Sequence, residues 1–141
     1  MSRIKINLPD KYIFSTELPP RISDINYGGH LGHDSVLSLT HEARVRFLTE
    51  HNYTEMDIEG VGLIMSEVGI TYKSETFYGD IVKIHIGVGE LGKTYFEMIY
   101  FLENKKNNKE IARVKTRMVL FDYEQRKTME IPKPFRKLLS T

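Results

Sequence analysis

Residues 21–33 read RISDINYGGHLGH and run straight into DSVLSLTHEARVRFLTEH at 34–51. The first segment holds three glycines (Gly28, Gly29, Gly32) with Asp24, Asn26, His30 and His33, a composition that suits a conformationally free, polar loop. The second is helical. Asp34 is the expected N-cap, and Val36, Thr40, Ala43 and Phe47 recur along one face, with Leu37, Leu39 and Leu48 on its flanks. Arg44 falls inside that apolar stripe, about 80° from its centre at 100° per residue, so its charge needs a partner or a path to solvent.

Outward from this helix the hydrophobic period changes to two. Residues 11–18 read as a short first strand stopped by Pro19-Pro20. After Gly60, residues 64–73 alternate, with Ile64, Val68, Ile70 and Tyr72 expected on one apolar face and Glu67 on the polar one, which Glu75 shares. Turns at 78–80 and 91–93 separate further strands over 82–88 and 94–102. A polar hairpin loop at 104–108 leads into a strand at 111–122, whose Ala112, Val114, Thr116, Met118 and Leu120 share a face. The tail, with Phe135, Leu138 and Leu139, reads as a short helix or packing arm. One helix covers about five strands only if the sheet curls around it, so the expected class is α+β, a curved antiparallel sheet of about five strands wrapped around one long helix. No linker or repeat divides the chain, and residues 1–141 are expected to form one domain.

Composition narrows the function. Twenty basic against nineteen acidic residues leave +1, too balanced for a chain that lives on nucleic-acid phosphates. No apolar run is long enough to span a membrane, and residues 1–8 have no apolar signal core, so a cytoplasmic location is expected. Cysteine is absent, which removes thiolate nucleophiles and cysteine metal sites. His30, His33 and His41 beside Asp34 invite a metal reading, but the loop-like spacing suits hydrogen-bonding or surface histidines, so no metal or cofactor is expected. No G-x-S-x-G elbow supports a serine hydrolase. Arg113, Lys115 and Arg117 form a basic row on one strand face, read as solvated or as a seat for substrate phosphates. Lys93, Lys105, Lys106 and Lys109 in the hairpin turns admit the same two readings.

The loop feeds a helix N-terminus, whose free amides can stabilise a developing oxyanion near Gly32 to Asp34. Asp24-Ile25-Asn26-Tyr27-Gly28-Gly29-His30-Leu31-Gly32-His33 resembles the loop of hotdog-fold acyl-CoA thioesterases of the 4-hydroxybenzoyl-CoA thioesterase class, D-x-D-x-x-G-H-V-N-N. Asp24, Gly29 and His30 match it, Glu42-Ala43-Arg44 resembles the helix signature that follows, and Gly79-Asp80 resembles the turn that opens the next strand. Asn26 stands where the family carries its catalytic aspartate, and an amide is no base at neutral pH. The resemblance implies a hotdog fold and hydrolysis of acyl-CoA or acyl-carrier-protein thioesters by water. It implies a homodimer or homotetramer whose sheets join edge to edge, with sites between subunits.

On this reading the catalytic set is Asp24, Asn26, His30 and Glu75, with Gly29, Leu31, Gly32, His33 and Glu67 binding substrate. Asn26 orients water or holds the thioester oxygen, and His30 serves the leaving sulfur or braces the loop. The base is Asp24, or Glu67 or Glu75, the latter two supplied by the same chain or its partner. The alternative is a non-catalytic acyl-thioester binding protein. A hydratase of the same fold fits less well, because Asp24 and His30 are six residues apart rather than five.

Overall fold

A computed structural model describes residues 4–141; the expectation for residues 1–8 lies partly outside them, at positions 1–3. In chain order come β1 (Phe14–Leu18), a 3-10 turn (Ile22–Asp24), α1 (His33–Glu50), β2 (Gly62–Tyr72), β3 (Val82–Leu91), β4 (Tyr95–Asn104), β5 (Glu110–Asp122), β6 (Lys127–Thr128) and α2 (Lys133–Leu139). The strands form one curved antiparallel sheet in the order β1-β3-β4-β5-β2, with the two-residue β6 paired to β5. The tail is helical, as one of its two readings held, and buries Phe135 and Leu139.

α1 crosses the concave face. Its stripe is buried as the spacing requires, Ala43, Thr40 and Phe47 having no exposed surface. Against it pack alternate residues of three strands: Val82, Ile84 and Ile86 of β3, Phe96, Met98, Tyr100 and Leu102 of β4, and Ala112, Val114, Met118 and Leu120 of β5. α1 begins at His33 with Gly32 as N-cap, not at Ser35 with Asp34 as cap. The two-residue shift follows from the glycine, whose carbonyl already accepts from the amides of Ser35 and Val36.

β2 departs from a regular strand. Met65 pairs with Met118 and Glu67 with Arg117, so Ser66 is an extra, bulged residue. A bulge reverses the alternation on one side of it. Ile64, opposite Val119, therefore faces outward, whereas Met65, Val68, Ile70 and Tyr72 face inward. The inward residues are also poorly covered, with Met65 39%, Val68 43% and Tyr72 44% exposed. Glu75 lies beyond the end of β2 and does not share a strand face with Glu67.

The outward face carries a cover the sequence did not announce. Residues 4–12 lie along it: Ile6 is buried, the Ile6 carbonyl accepts from Arg113 Nη1 at 2.9 Å, and Tyr12 stacks on Phe101 with ring centroids 6.3 Å apart. The basic row of β5 is consumed there. Arg113 pairs with Glu110 at 2.5 Å, Lys115 with Glu97 at 3.8 Å, and Arg117 with Glu90 at 3.3 Å while lying over the Tyr95 ring. Each basic side chain of the row thus has a carboxylate partner. No helix among the described residues is long and apolar enough to cross a membrane.

Arg44 meets its requirement within the chain. Nε donates to Glu55 at 2.8 Å and Nη1 to the Tyr100 hydroxyl at 2.9 Å, and that hydroxyl lies 3.1 Å from Thr116 Oγ1. His41, the third histidine of the metal reading, is spent on the other oxygen of Glu55 at 2.7 Å. Burial pushes the Glu55 carboxyl up, but hydrogen bonds from Arg44 and His41 and their charges outweigh it and hold it below the ordinary glutamate value. A carboxyl with a depressed folded-state pKa stabilises the fold above its unfolded pKa and ceases to do so as pH falls through the folded value. Arg44→Met is expected to lose about 3 kcal/mol by stranding Glu55 and Tyr100. Glu55→Gln is expected to lose about 2 kcal/mol at neutral pH. Denaturant titrations should show the Glu55→Gln deficit shrinking below the ordinary glutamate pKa of about 4.3.

Candidate functional site

The loop at 25–32 is built by its own backbone and one amide side chain. Asn26 Oδ1 accepts from the amides of Gly28 at 2.9 Å and His30 at 3.3 Å, while the Asn26 carbonyl accepts from Gly29 and its amide donates to the His30 carbonyl. Gly29 sits at φ +83°, a left-handed conformation that other residues adopt at a cost. Gly28 gives room of another kind, since a Cβ there would lie 3.2 Å from His30 Nε2. Gly32 donates its amide to the Asp24 carbonyl at 2.9 Å.

The loop then docks on the connection after β2. The Leu31 amide donates to the Thr76 carbonyl at 2.7 Å, and His30 forms a bridge with Phe77. This sets His30 Nε2 4.0 Å from a Glu75 carboxylate oxygen, too far for a direct hydrogen bond and close enough for an ion pair. His30 Nδ1 lies 3.3 Å from the Leu31 carbonyl, which only accepts, so a proton on Nδ1 is hydrogen-bonded there and leaves the lone pair on Nε2. His33 stacks on Tyr72 at 4.2 Å between ring centroids, and the Tyr72 hydroxyl donates to the His33 carbonyl at 3.1 Å. Burial, with the Asp34 charge adding to it, pushes the Tyr72 phenol up, so this hydroxyl keeps its proton.

His30, Leu31, His33, Tyr72, Glu75 and Thr76 line a recess of about 240 Å³. The helix N-terminus beside it has two amides, of His33 and Asp34, with no acceptor among the described residues. Those of Leu31, Gly32, Ser35 and Val36 are already paired.

Not every expected residue reaches this recess. Asp24 is 6% exposed and caps the 3-10 turn, its Oδ2 accepting from the Arg21 amide at 2.8 Å. Asp24, Asn26 and Gly32 instead border a separate depression of about 360 Å³ on the other side of the loop. Glu67 is on the outward face of β2, opposite Arg117, and borders neither depression. Tyr72 and Thr76 were missed as site residues. Tyr72 was assigned to an apolar face, and the Thr76 carbonyl is a backbone partner that no side-chain pattern reveals. Among the described residues, no group of three His, Asp or Glu side chains is placed to hold a metal ion.

A family model of the thioesterase-like superfamily matches residues 20–139. The chain belongs to that superfamily. Its fold is the hotdog fold, shared with solved structures of low sequence identity. The 1,4-dihydroxy-2-naphthoyl-CoA thioesterase Slr0204 of Synechocystis superposes with a TM-score of 0.82 at 18% identity, covering 90% of this chain and 95% of that one. A thioesterase-superfamily protein of Jannaschia sp. CCS1 gives 0.83 at 21% identity, over 94% and 84%. The Staphylococcus aureus protein SAV2348, solved in complex with CoA, gives 0.80 at 13% identity, over 96% and 86%. No curated protein matches the chain in sequence.

The geometry separates two roles for position 26. Asn26→Ala removes the acceptor of two loop amides and is expected to cost about 1–2 kcal/mol in thermal denaturation. Asn26→Asp keeps that acceptor and should stay within about 0.5 kcal/mol of the parent chain.

Proposed function

We propose that this superfamily member is a hydrolase of acyl-CoA thioesters, acting through His30 and Glu75. One observation carries the proposal: a basic imidazole nitrogen, a carboxylate and a helix-terminal residue with a free amide border the same recess. Water held beside Nε2 gives its proton to His30 as it attacks the thioester carbonyl, and Glu75 stabilises the imidazolium that forms. The unpaired His33 amide, at the positive end of α1, receives the developing oxyanion. When the carbon–sulfur bond breaks, the imidazolium returns its proton to the leaving thiolate. Asp24 and Asn26 act on this reading by holding the loop, with Gly29 supplying its left-handed turn, and Leu31 forms an apolar wall.

The site is completed by a second copy of the chain. A recess of about 240 Å³ is smaller than the roughly 300–1,000 Å³ that small-molecule sites occupy. β2, at the margin of the sheet, has an outer edge that pairs with no other strand among the described residues, only its start being occupied by the Leu63–Glu55 backbone bond, and it carries the exposed Met65, Val68 and Tyr72. An open edge with apolar neighbours invites strand pairing. Joined β2 edges bring each recess next to the other subunit and give Glu67 its nearest route to a site.

Release of free thiol across a panel of short, medium, long and aromatic acyl-CoA esters tests the reading. Preference for one class is expected, and His30→Ala and Glu75→Gln should each lower kcat/KM at least tenfold, about 1.4 kcal/mol in transition-state stabilisation. Acyl-CoA binding by calorimetry with no thiol released would favour the non-catalytic binding protein, the reading that Asn26 supports. The dimer has its own test. Val68→Glu, which sets a charge on the open edge, should convert a dimer in sedimentation experiments to a monomer and lower activity with it.

A further inference from the structure

Ser74 and Glu75 belong to two cavities at once. On one side they border the His30 recess, and on the other they open into a groove of about 530 Å³ that ends at the β4–β5 hairpin turn. Phe77, Asn104, Lys106 and Lys109 line that groove. Phe77 is 48% exposed, a large aromatic face left in solvent beside the site. Asp80 also borders the groove, with one carboxylate oxygen engaged by the Phe77 amide at 2.9 Å.

The hairpin lysines divide into two kinds. Lys93 pairs with Glu130 at 3.1 Å and Lys105 with Glu17 at 2.8 Å, so both are neutralised. Lys106 and Lys109 have no carboxylate within ion-pair distance among the described residues. The turn that carries them is fixed from within. Asn104, only 5% exposed, accepts the Lys106 amide on Oδ1 at 2.9 Å, Asn107 accepts the Lys109 amide at 2.9 Å, and Asn108 takes a positive φ of 60°. Two unneutralised ammonium groups on a braced turn, with an exposed ring nearby, form a seat for a phosphate-bearing aromatic group.

We propose that this groove binds the phosphorylated nucleotide half of coenzyme A, with Lys106 and Lys109 meeting its phosphates and Phe77 facing its adenine. The inference rests on the hydrolase reading above and sharpens it, because a carrier protein presents its thioester on a phosphopantetheine arm that has no nucleotide. The substrate class is then acyl-CoA, not acyl-carrier protein.

The experiment compares KM for the acyl-CoA that is turned over best with KM for the same acyl group on pantetheine. The parent protein is expected to prefer the CoA ester by at least tenfold. In Lys106→Ala/Lys109→Ala the ratio should fall toward one, whereas Lys93→Ala and Lys105→Ala, which alter only paired lysines, should keep the parent ratio. A parent ratio near one, or a ratio that persists in the double variant, overturns the proposal. Calorimetry with adenosine 3′,5′-bisphosphate gives an answer independent of catalysis. Binding lost in the double variant supports the groove even if neither ester is hydrolysed, in which case the hydrolase reading alone fails. No binding to the parent chain overturns the groove even if hydrolysis is found.

Discussion

The Leu31 amide bonded to the Thr76 carbonyl at 2.7 Å is the contact on which the site depends. The loop at 25–32 and the connection after β2 are far apart in sequence and belong to different parts of the fold. Without that bridge, His30 has no fixed relation to Glu75, and the recess between them has no wall. The bond is backbone to backbone, so it is indifferent to side-chain identity, and it lies one residue before Gly32, the N-cap of α1. The amides of His33 and Asp34 are left free because the first turn of a helix has no carbonyl four residues back to receive them, whereas those of Leu31 and Gly32 just before are bonded to Thr76 and Asp24.

Much of the fold can be read from periodicity because the core is one-sided. The α1 stripe and the alternate residues of β5 each have to face the same apolar layer, and their spacing says so. Arg44 was legible for the opposite reason, as a charge placed where only a partner makes it tolerable. β2 was less legible. Its letters alternate through residue 66, but the bulge at Ser66 reverses the phase, and Ile64 ends on the side opposite Val68. Ser66 stands between Met65 and Glu67, and nothing in that local pattern marks it as the extra residue. The cover that residues 4–12 lay over the outward face was hidden too, since a segment without regular structure has no period to read.

The site divides along the same line. His30 and the glycines around it stand out in sequence because a glycine-rich loop entering a helix has few other uses for a histidine. Glu75 could be suspected, but its distance from His30 is a property of the loop docking and not of any local motif. Asp24 was the nearest carboxylate in sequence and became the less suitable one in space, because its oxygen is committed to the Arg21 amide. Charge pairing decided similarly among the basic residues. Arg113, Lys115 and Arg117 make the more conspicuous pattern on paper, yet each is paired with a carboxylate, Arg113 with Glu110 of its own strand and the other two with Glu97 and Glu90 of neighbouring strands.

Asn26 is the residue at which resemblance and geometry have to be reconciled. An aspartate in its place would offer a second oxygen beyond the one that receives the Gly28 and His30 amides. That second oxygen is the atom a base needs, and an amide supplies an N–H₂ group there instead. The loop therefore keeps its shape when the carboxylate is lost, since the oxygen that shapes it survives the exchange. Base function, by contrast, needs a proton acceptor within reach of one water molecule, and on the proposed reading His30 Nε2, with a Glu75 carboxylate oxygen 4.0 Å away, supplies it. On that reading the base stays in the loop and its carboxylate partner comes from the β2–β3 connection, so catalysis depends on the docking of those two segments, and the bridge at Leu31 and the chemistry at His30 belong to one physical constraint.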